Sequence, residues 1–369
     1  MAVTKKDCLS GMLGSYTIPL VFALLEGLTH FGNWWGDSGS YVSIVKLFRG
    51  TANVGEGRWH GLLRPVVPLL AVPLSYLMSY RDAIATVNLG FFLVGTLFTY
   101  LFTKKLWNNG LAFISAISFA SAAPSLMFGT AILTDGPAYA MQVVLLYFLL
   151  FVLEKKADVK TSIMVGILIG VGVLTKETSF TVLIFLILRF ILHRDRLKIA
   201  NVMIVILVGL AIPLAWTQLI DYSYLGFYGE GLAYKGTQPV LAYLGYKGLI
   251  INPKIFALSA VYAFNLCLPF AFIAFFGIKD DEFKTLCEIL LSVGVLLVVW
   301  PTGPESRLTF LTFPAVLPLA AFGMKQASQI LATRPWFKFL SQKCWTGLFL
   351  LAVVIYSNAN TFKLYFRIP

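Results

Sequence analysis

The chain is 369 residues long, with 58% hydrophobic and only 12% charged residues, against about 25% charged in soluble domains. That balance excludes a soluble enzyme and implies an all-α polytopic membrane protein with a single membrane domain over 1–369, since no polar stretch is long enough to fold separately. The net charge of +12 is explained by basic residues at helix ends rather than by a nucleic-acid surface.

The four cysteines, Cys8, Cys267, Cys287 and Cys344, are scattered. Their spacing predicts neither a metal site nor a disulfide framework. Lys5 and Lys6 precede a first apolar span, 12–31, that shows no cleavage site and reads as retained. Further spans follow at 82–103, 110–130, 134–153, 161–175, 178–193, 199–221, 255–277, 284–301, 306–325 and 344–358. The stretch 61–80 is apolar enough to cross a bilayer but carries Pro65, Pro68 and Pro73, which disfavour a helix interior.

Charge settles how 61–80 is read. If it lies along the membrane surface, Lys5/Lys6, Lys104/Lys105, Lys155/Lys156/Lys160, Arg194/Arg196/Lys198, Lys279/Lys284 and the run from Lys325 to Lys343 share the cytoplasmic side, as the positive-inside rule requires. If it crosses, most of them fall outside. The first arrangement predicts about eleven spanning helices and a cytoplasmic N-terminus. It makes 32–81 a first outer loop and 222–254 a second. Within the first loop, Tyr41, Ile44, Val45 and Phe48 recur at helical spacing, predicting a surface helix capped by Asp37 or Ser38 and ended by Gly50. A second juxtamembrane helix follows the Gly-rich turn 50–61.

The same arrangement gathers chemistry on the outer face. GDSGSY places Asp37 just after the first span. RWHGLLRPVVP brings Arg58 and Arg64, LTDGPAY brings Asp135, LTKETSF brings Lys176 and Glu177, and PESRLTF brings Arg307. Cations with one or two carboxylates suit a phosphate-bearing substrate: Arg and Lys hold phosphate, and a carboxylate takes a proton from an attacking hydroxyl. Glu26 and His30 lie one helical turn apart in the first span and join Tyr41 and Glu177 as supporting candidates.

The order of these motifs resembles the GT-C superfamily of integral-membrane glycosyltransferases, with relatives such as protein O-mannosyltransferases, aminoarabinose transferases and oligosaccharyltransferase catalytic subunits. The resemblance runs over about residues 1–325. It rests on an acid after the first helix with a juxtamembrane helix behind it (GDSGSYVSIVKLFRG), an Arg-Pro stretch (LLRPVVPLL), a second acid (LTDGPAY), a Thr-Lys pair (LTKETSF) and an Arg heading a late helix (PESRLTFLTFP). It implies a catalytic role for Asp37 as general base on the acceptor and for Asp135 in orienting substrate or assisting a metal. It also implies donor-phosphate contacts for Lys176 and Arg307, with Arg58 and Arg64 as weaker phosphate candidates. The implied reaction is inverting transfer of a monosaccharide from a polyprenyl-phosphate carrier to a hydroxyl on a lipid, glycan or protein. Ser38 stands where the mannosyltransferases have a second acid, so a divalent metal is not indicated. The competing function is a transporter or flippase of a lipid-linked or amphipathic anion. A non-catalytic relative supporting a partner enzyme is a third reading.

Overall fold

Apolar runs need their backbone hydrogen bonds closed within each segment, and helices do this locally. The computed structural model describes residues 5–52, 59–220, 253–278, 281–299 and 306–366, and among these residues every regular element is helical. Helix α1 (Lys5–Thr29) leads to α2 (Ser38–Phe48), a single turn α3 (Trp59–Leu62), and α4 (Val66–Leu74). Then come α5 (Tyr80–Leu106), α6 (Asn109–Ser121), α7 (Ala123–Phe128) and α8 (Asp135–Phe148), which continues through a π-turn at Leu149–Leu153. Helix α9 (Val159–Thr175) is joined to α10 (Phe180–Leu192) by a 3-10 turn, Glu177–Ser179, and α11 (Ile199–Ile220) follows. The remaining helices are α12 (Pro253–Phe264), α13 (Cys267–Gly277), α14 (Asp281–Val299), α15 (Ser306–Thr309), α16 (Phe313–Thr333) and α17 (Gln342–Phe366).

Over an 18-residue apolar stretch of each, 89% of residues are buried in the span Arg307–Thr333 and 78% in Asp135–Leu153, against 22% in Ile199–Ile220. Helices α8 and α16 therefore form the centre and α11 the apolar rim. Helix α11 packs on α9 through small residues: Gly166 and Gly170, four apart, leave no room for a Cβ beside Val208 and Ile212, at 2.8 Å each. Such stripes let membrane helices approach closely without hydrophobic driving force between them.

Among the described residues, four helices are long and apolar enough to cross a membrane, or five if the bent pair α12–α13 counts as one. The finer count of about eleven remains an expectation of the sequence. The expected span 110–130 is interrupted at Ala122, where the chain turns extended before Pro124. The expected span 255–277 bends by 105° at Asn265, which adopts φ +46°. Helix α4 has nine residues. At 1.5 Å per residue it is about 14 Å long, half of a bilayer core.

Helix α2 ends at a Schellman motif. Gly50 takes φ +76°, its N–H donates to Leu47 O and that of Thr51 to Lys46 O, both at 2.9 Å. At the other end, the Asp37 side chain makes no capping bond to α2. Ser38 Oγ instead accepts from the Trp35 N–H at 2.8 Å. The expected loop 222–254 and Arg58 lie outside the described residues, save for the first turn of α12.

Candidate active site

Two irregular segments lie side by side where the first and second acidic motifs meet. Gly32 N–H donates to Thr130 O at 3.3 Å, Ile132 N–H to Asn33 O at 3.0 Å, and Thr130 Oγ1 to His30 O at 2.8 Å. Two side chains of α5 lock the pair. Arg81 donates twice to Gly32 O, at 2.8 and 3.1 Å, and buried Asn88 donates to the carbonyls of Ala131 and Leu133. An amide in the middle of a long apolar helix is a sequence signal for such a brace.

These braces carry Asp37 and Asp135 to one cavity. Asp135 sits in the first turn of α8, where the helix dipole favours a carboxylate. Gly136 behind it has no alternative, because a Cβ there would lie 2.7 Å from Phe128 O. Lys176 breaks the helical run between α9 and the 3-10 turn with an extended backbone, φ −162°, ψ 137°. Arg307 lies in α15, and its carbonyl accepts from Tyr139 Oη at 2.9 Å. Asp37, Tyr41, Arg64, Leu133, Asp135, Lys176, Arg307 and Leu308 line the cavity, of about 290 Å³.

Charge within the site is paired. The Lys176 ammonium contacts Asp135 Oδ1, and both residues are 4% exposed. Arg64 grips Glu177 with two parallel bonds, Nε donating to Oε2 at 2.7 Å and a terminal nitrogen to Oε1. Its other nitrogen donates to Tyr41 Oη at 3.0 Å, and Tyr41 Oη shares a 3.0 Å hydrogen bond with Thr134 Oγ1. Burial pushes the Lys176 ammonium pKa down, an effect that Asp135 only partly offsets. Burial also works against the Arg64 charge, but Glu177 and Tyr41 hold that guanidinium well above its ordinary value. The Tyr41 phenol is pushed up by burial.

The structure thus brings together Asp37, Asp135, Lys176, Arg307, Arg64 and Tyr41, with Glu177 behind Arg64. Glu26 turns elsewhere: its Oε1 accepts from Asn358 Nδ2 of α17 at 3.1 Å. His30 contributes its backbone carbonyl to the segment pairing and does not line the cavity. Thr134 and Tyr139, which hold Tyr41 and the Arg307 backbone, were not singled out in the sequence. Both flank Asp135 in LTDGPAY. Among the described residues, no group of three or more His, Cys, Asp or Glu side chains could hold a metal ion, and the second acid is taken by Lys176.

Solved structures share this architecture. The crystal structure of ArnT from Cupriavidus metallidurans bound to undecaprenyl phosphate matches with a TM-score of 0.65 at 14% identity, over 96% of this chain and 72% of that one. The chain has the GT-C fold. The apo form of the same ArnT matches with a TM-score of 0.63 at 13% identity, over 96% of this chain and 76% of that one. The Archaeoglobus fulgidus oligosaccharyltransferase AglB, in complex with an inhibitory peptide and a dolichol-phosphate, matches with a TM-score of 0.61 at 14% identity, over 94% of this chain and 56% of that one. Residues 65–220 match the family model of dolichyl-phosphate-mannose-protein mannosyltransferases, a segment shorter than half of the chain. No curated protein matches in sequence.

Proposed function

We propose that the chain is an integral-membrane glycosyltransferase that moves a monosaccharide from a polyprenyl-phosphate carrier to an acceptor hydroxyl, with inversion. One observation carries the reading: Asp37, Asp135, Lys176 and Arg307, from four separate segments, line a single cavity. The matched ArnT structure contains undecaprenyl phosphate and the matched AglB structure a dolichol-phosphate, which favours a polyprenyl-phosphate donor here. The acceptor is a lipid, glycan or protein. The basic clusters at the other helix ends favour an N-terminus in the cytoplasm and a site on the outer face of a plasma or inner membrane.

In this reading Lys176 and Arg307 face the donor phosphate, Lys176 as a point charge and Arg307 as a planar donor. The acceptor oxygen attacks the anomeric carbon as the bond from that carbon to the phosphate oxygen breaks. Asp37 takes the hydroxyl proton, and the departing polyprenyl phosphate keeps the electron pair beside the two cations. Asp135 holds Lys176 in place. Arg64, committed to Glu177, positions Tyr41 rather than competing for phosphate.

The test is transfer from a polyprenyl-phosphate sugar by purified protein. Asp37→Asn keeps the shape of the side chain and removes the base, so the rate is expected to fall roughly 10²- to 10⁴-fold with the unfolding temperature unchanged. Full activity in that variant would remove Asp37 from the chemistry.

A further inference from the structure

Helix α5 has 27 residues, so its two ends lie about 40 Å apart. Its start braces the candidate active site through Arg81. Its far end, past Trp107, opens on a groove between α6, α16 and α17. We propose that this groove binds an anionic glycerophospholipid, a site separate from the transfer cavity and independent of the transfer reaction.

The groove encloses about 470 Å³ and is lined chiefly by apolar groups. Ile114 of α6 and Leu350 of α17 form its walls, and Gly110 and Gly347 widen it. A Cβ added at Gly347 would meet nothing within 4 Å, so the space beside it is open. Lys325 of α16 and Lys343 of α17 supply its charge, and no carboxylate lines it. A neighbouring cavity of about 480 Å³ differs on this point. There Lys105, Lys155 and Arg196 stand among Glu154, Asp281 and Glu282, and the charges offset one another.

An apolar slot ending in two unopposed ammonium groups matches a phosphodiester with an acyl chain. Basic pockets between membrane helices take anionic lipid headgroups in this manner, and long lysine stems lie along apolar surface while the ammonium reaches the headgroup. The turn between α16 and α17 supplies a second indication of headgroup level. Arg334 and Lys338 alternate with Trp336, 87% exposed, and Phe339, 75% exposed. Aromatic and basic residues are enriched together at the membrane–water boundary. Because the groove lies at the opposite end of α5 from Asp37, a lipid seated in it is not the transfer donor.

Native mass spectrometry of the full chain, delipidated in detergent and titrated with phosphatidylglycerol or phosphatidylcholine of equal chain length, tests this. One phosphatidylglycerol is expected to be retained with roughly thirtyfold preference, on the order expected for two lysines near a headgroup. Lys325→Glu with Lys343→Glu should abolish the preference. Gly347→Leu keeps both lysines and fills open space, so it should lower phosphatidylglycerol retention about as much while the unfolding temperature holds. Equal retention of the two lipids, or a preference that survives both variants, overturns the proposal. So does a polyprenyl phosphate that outcompetes phosphatidylglycerol at the groove, with that competition lost in Gly347→Leu.

Discussion

Helix α10 carries a buried cluster of charge at each end, about 20 Å apart over its 13 residues. At its start the pairing is one to one: Lys176 with Asp135, Arg64 with Glu177. At its end one guanidinium is shared between two carboxylates, with that of Arg196 3.8 Å from Glu154 Oε2 at the margin. Arg189 donates to Glu154 Oε1 at 2.7 Å, to Glu288 Oε2 at 2.9 Å and to Thr285 Oγ1 at 3.3 Å, and His193 Nε2 lies 2.7 Å from the other Glu288 oxygen. This far cluster ties the end of α8 to α10 and α14. The near cluster adds Asp37 and Arg307 around a cavity. Shared charge serves as a brace. Paired charge beside further polar groups can exchange a partner for a substrate.

The largest expected effect falls on the brace. Arg189→Leu removes the shared cation from two buried carboxylates, leaving only Arg196 at 3.8 Å from Glu154 and His193 beside Glu288, and breaking a buried pair from one side costs about 3–5 kcal/mol. The expected outcome is a marked drop in unfolding temperature in calorimetry, with transfer per folded molecule within about twofold of the parent. A variant with unchanged stability and lost transfer would erase the distinction between the clusters.

The near pair should behave in the opposite way. Replacing both members, Lys176→Met with Asp135→Asn, removes the charges without leaving one unpaired, and such double replacements are often close to neutral for stability. Removing a preorganised group aimed at developing charge costs roughly 10²- to 10³-fold in rate. Stability within about 1 kcal/mol of the parent, together with a transfer loss of that size, is the expected pattern. A double variant that unfolds instead would make the near pair a brace as well.

Much of the near cluster was legible in the sequence because its members sit in short polar interruptions of apolar runs, where a charge has few other reasons to be. Asp37, Asp135, Lys176 and Arg307 could each be picked out, and the distribution of Lys and Arg put them on one side. Who pairs with whom was not legible. Lys176 reaches back 41 residues to Asp135, and Arg64 reaches forward 113 to Glu177, and such matches are decided by helix packing. Glu26 illustrates the same limit, since its partner Asn358 is 332 residues away. The far cluster left a trace that went unread: Arg189 lies inside an apolar stretch, and a charge in such a place calls for a partner. Helix breaks at Ala122 and Asn265 were invisible to hydropathy, which averages over them.

The smallest expected effect is a shift in pH dependence, and it isolates Lys176 within the near cluster. Burial pushes its ammonium pKa down, so as pH rises it loses its charge before an ordinary lysine, near 10.4, would. If that charge holds the donor phosphate, transfer falls on the alkaline side below the ordinary lysine range. Arginine stays charged throughout, with a pKa above about 12. Lys176→Arg is therefore expected to move the alkaline limb of the rate to higher pH, even if the longer side chain lowers the maximum rate. An alkaline limb that does not move would assign the loss of rate to another group and leave Lys176 as a partner of Asp135 alone.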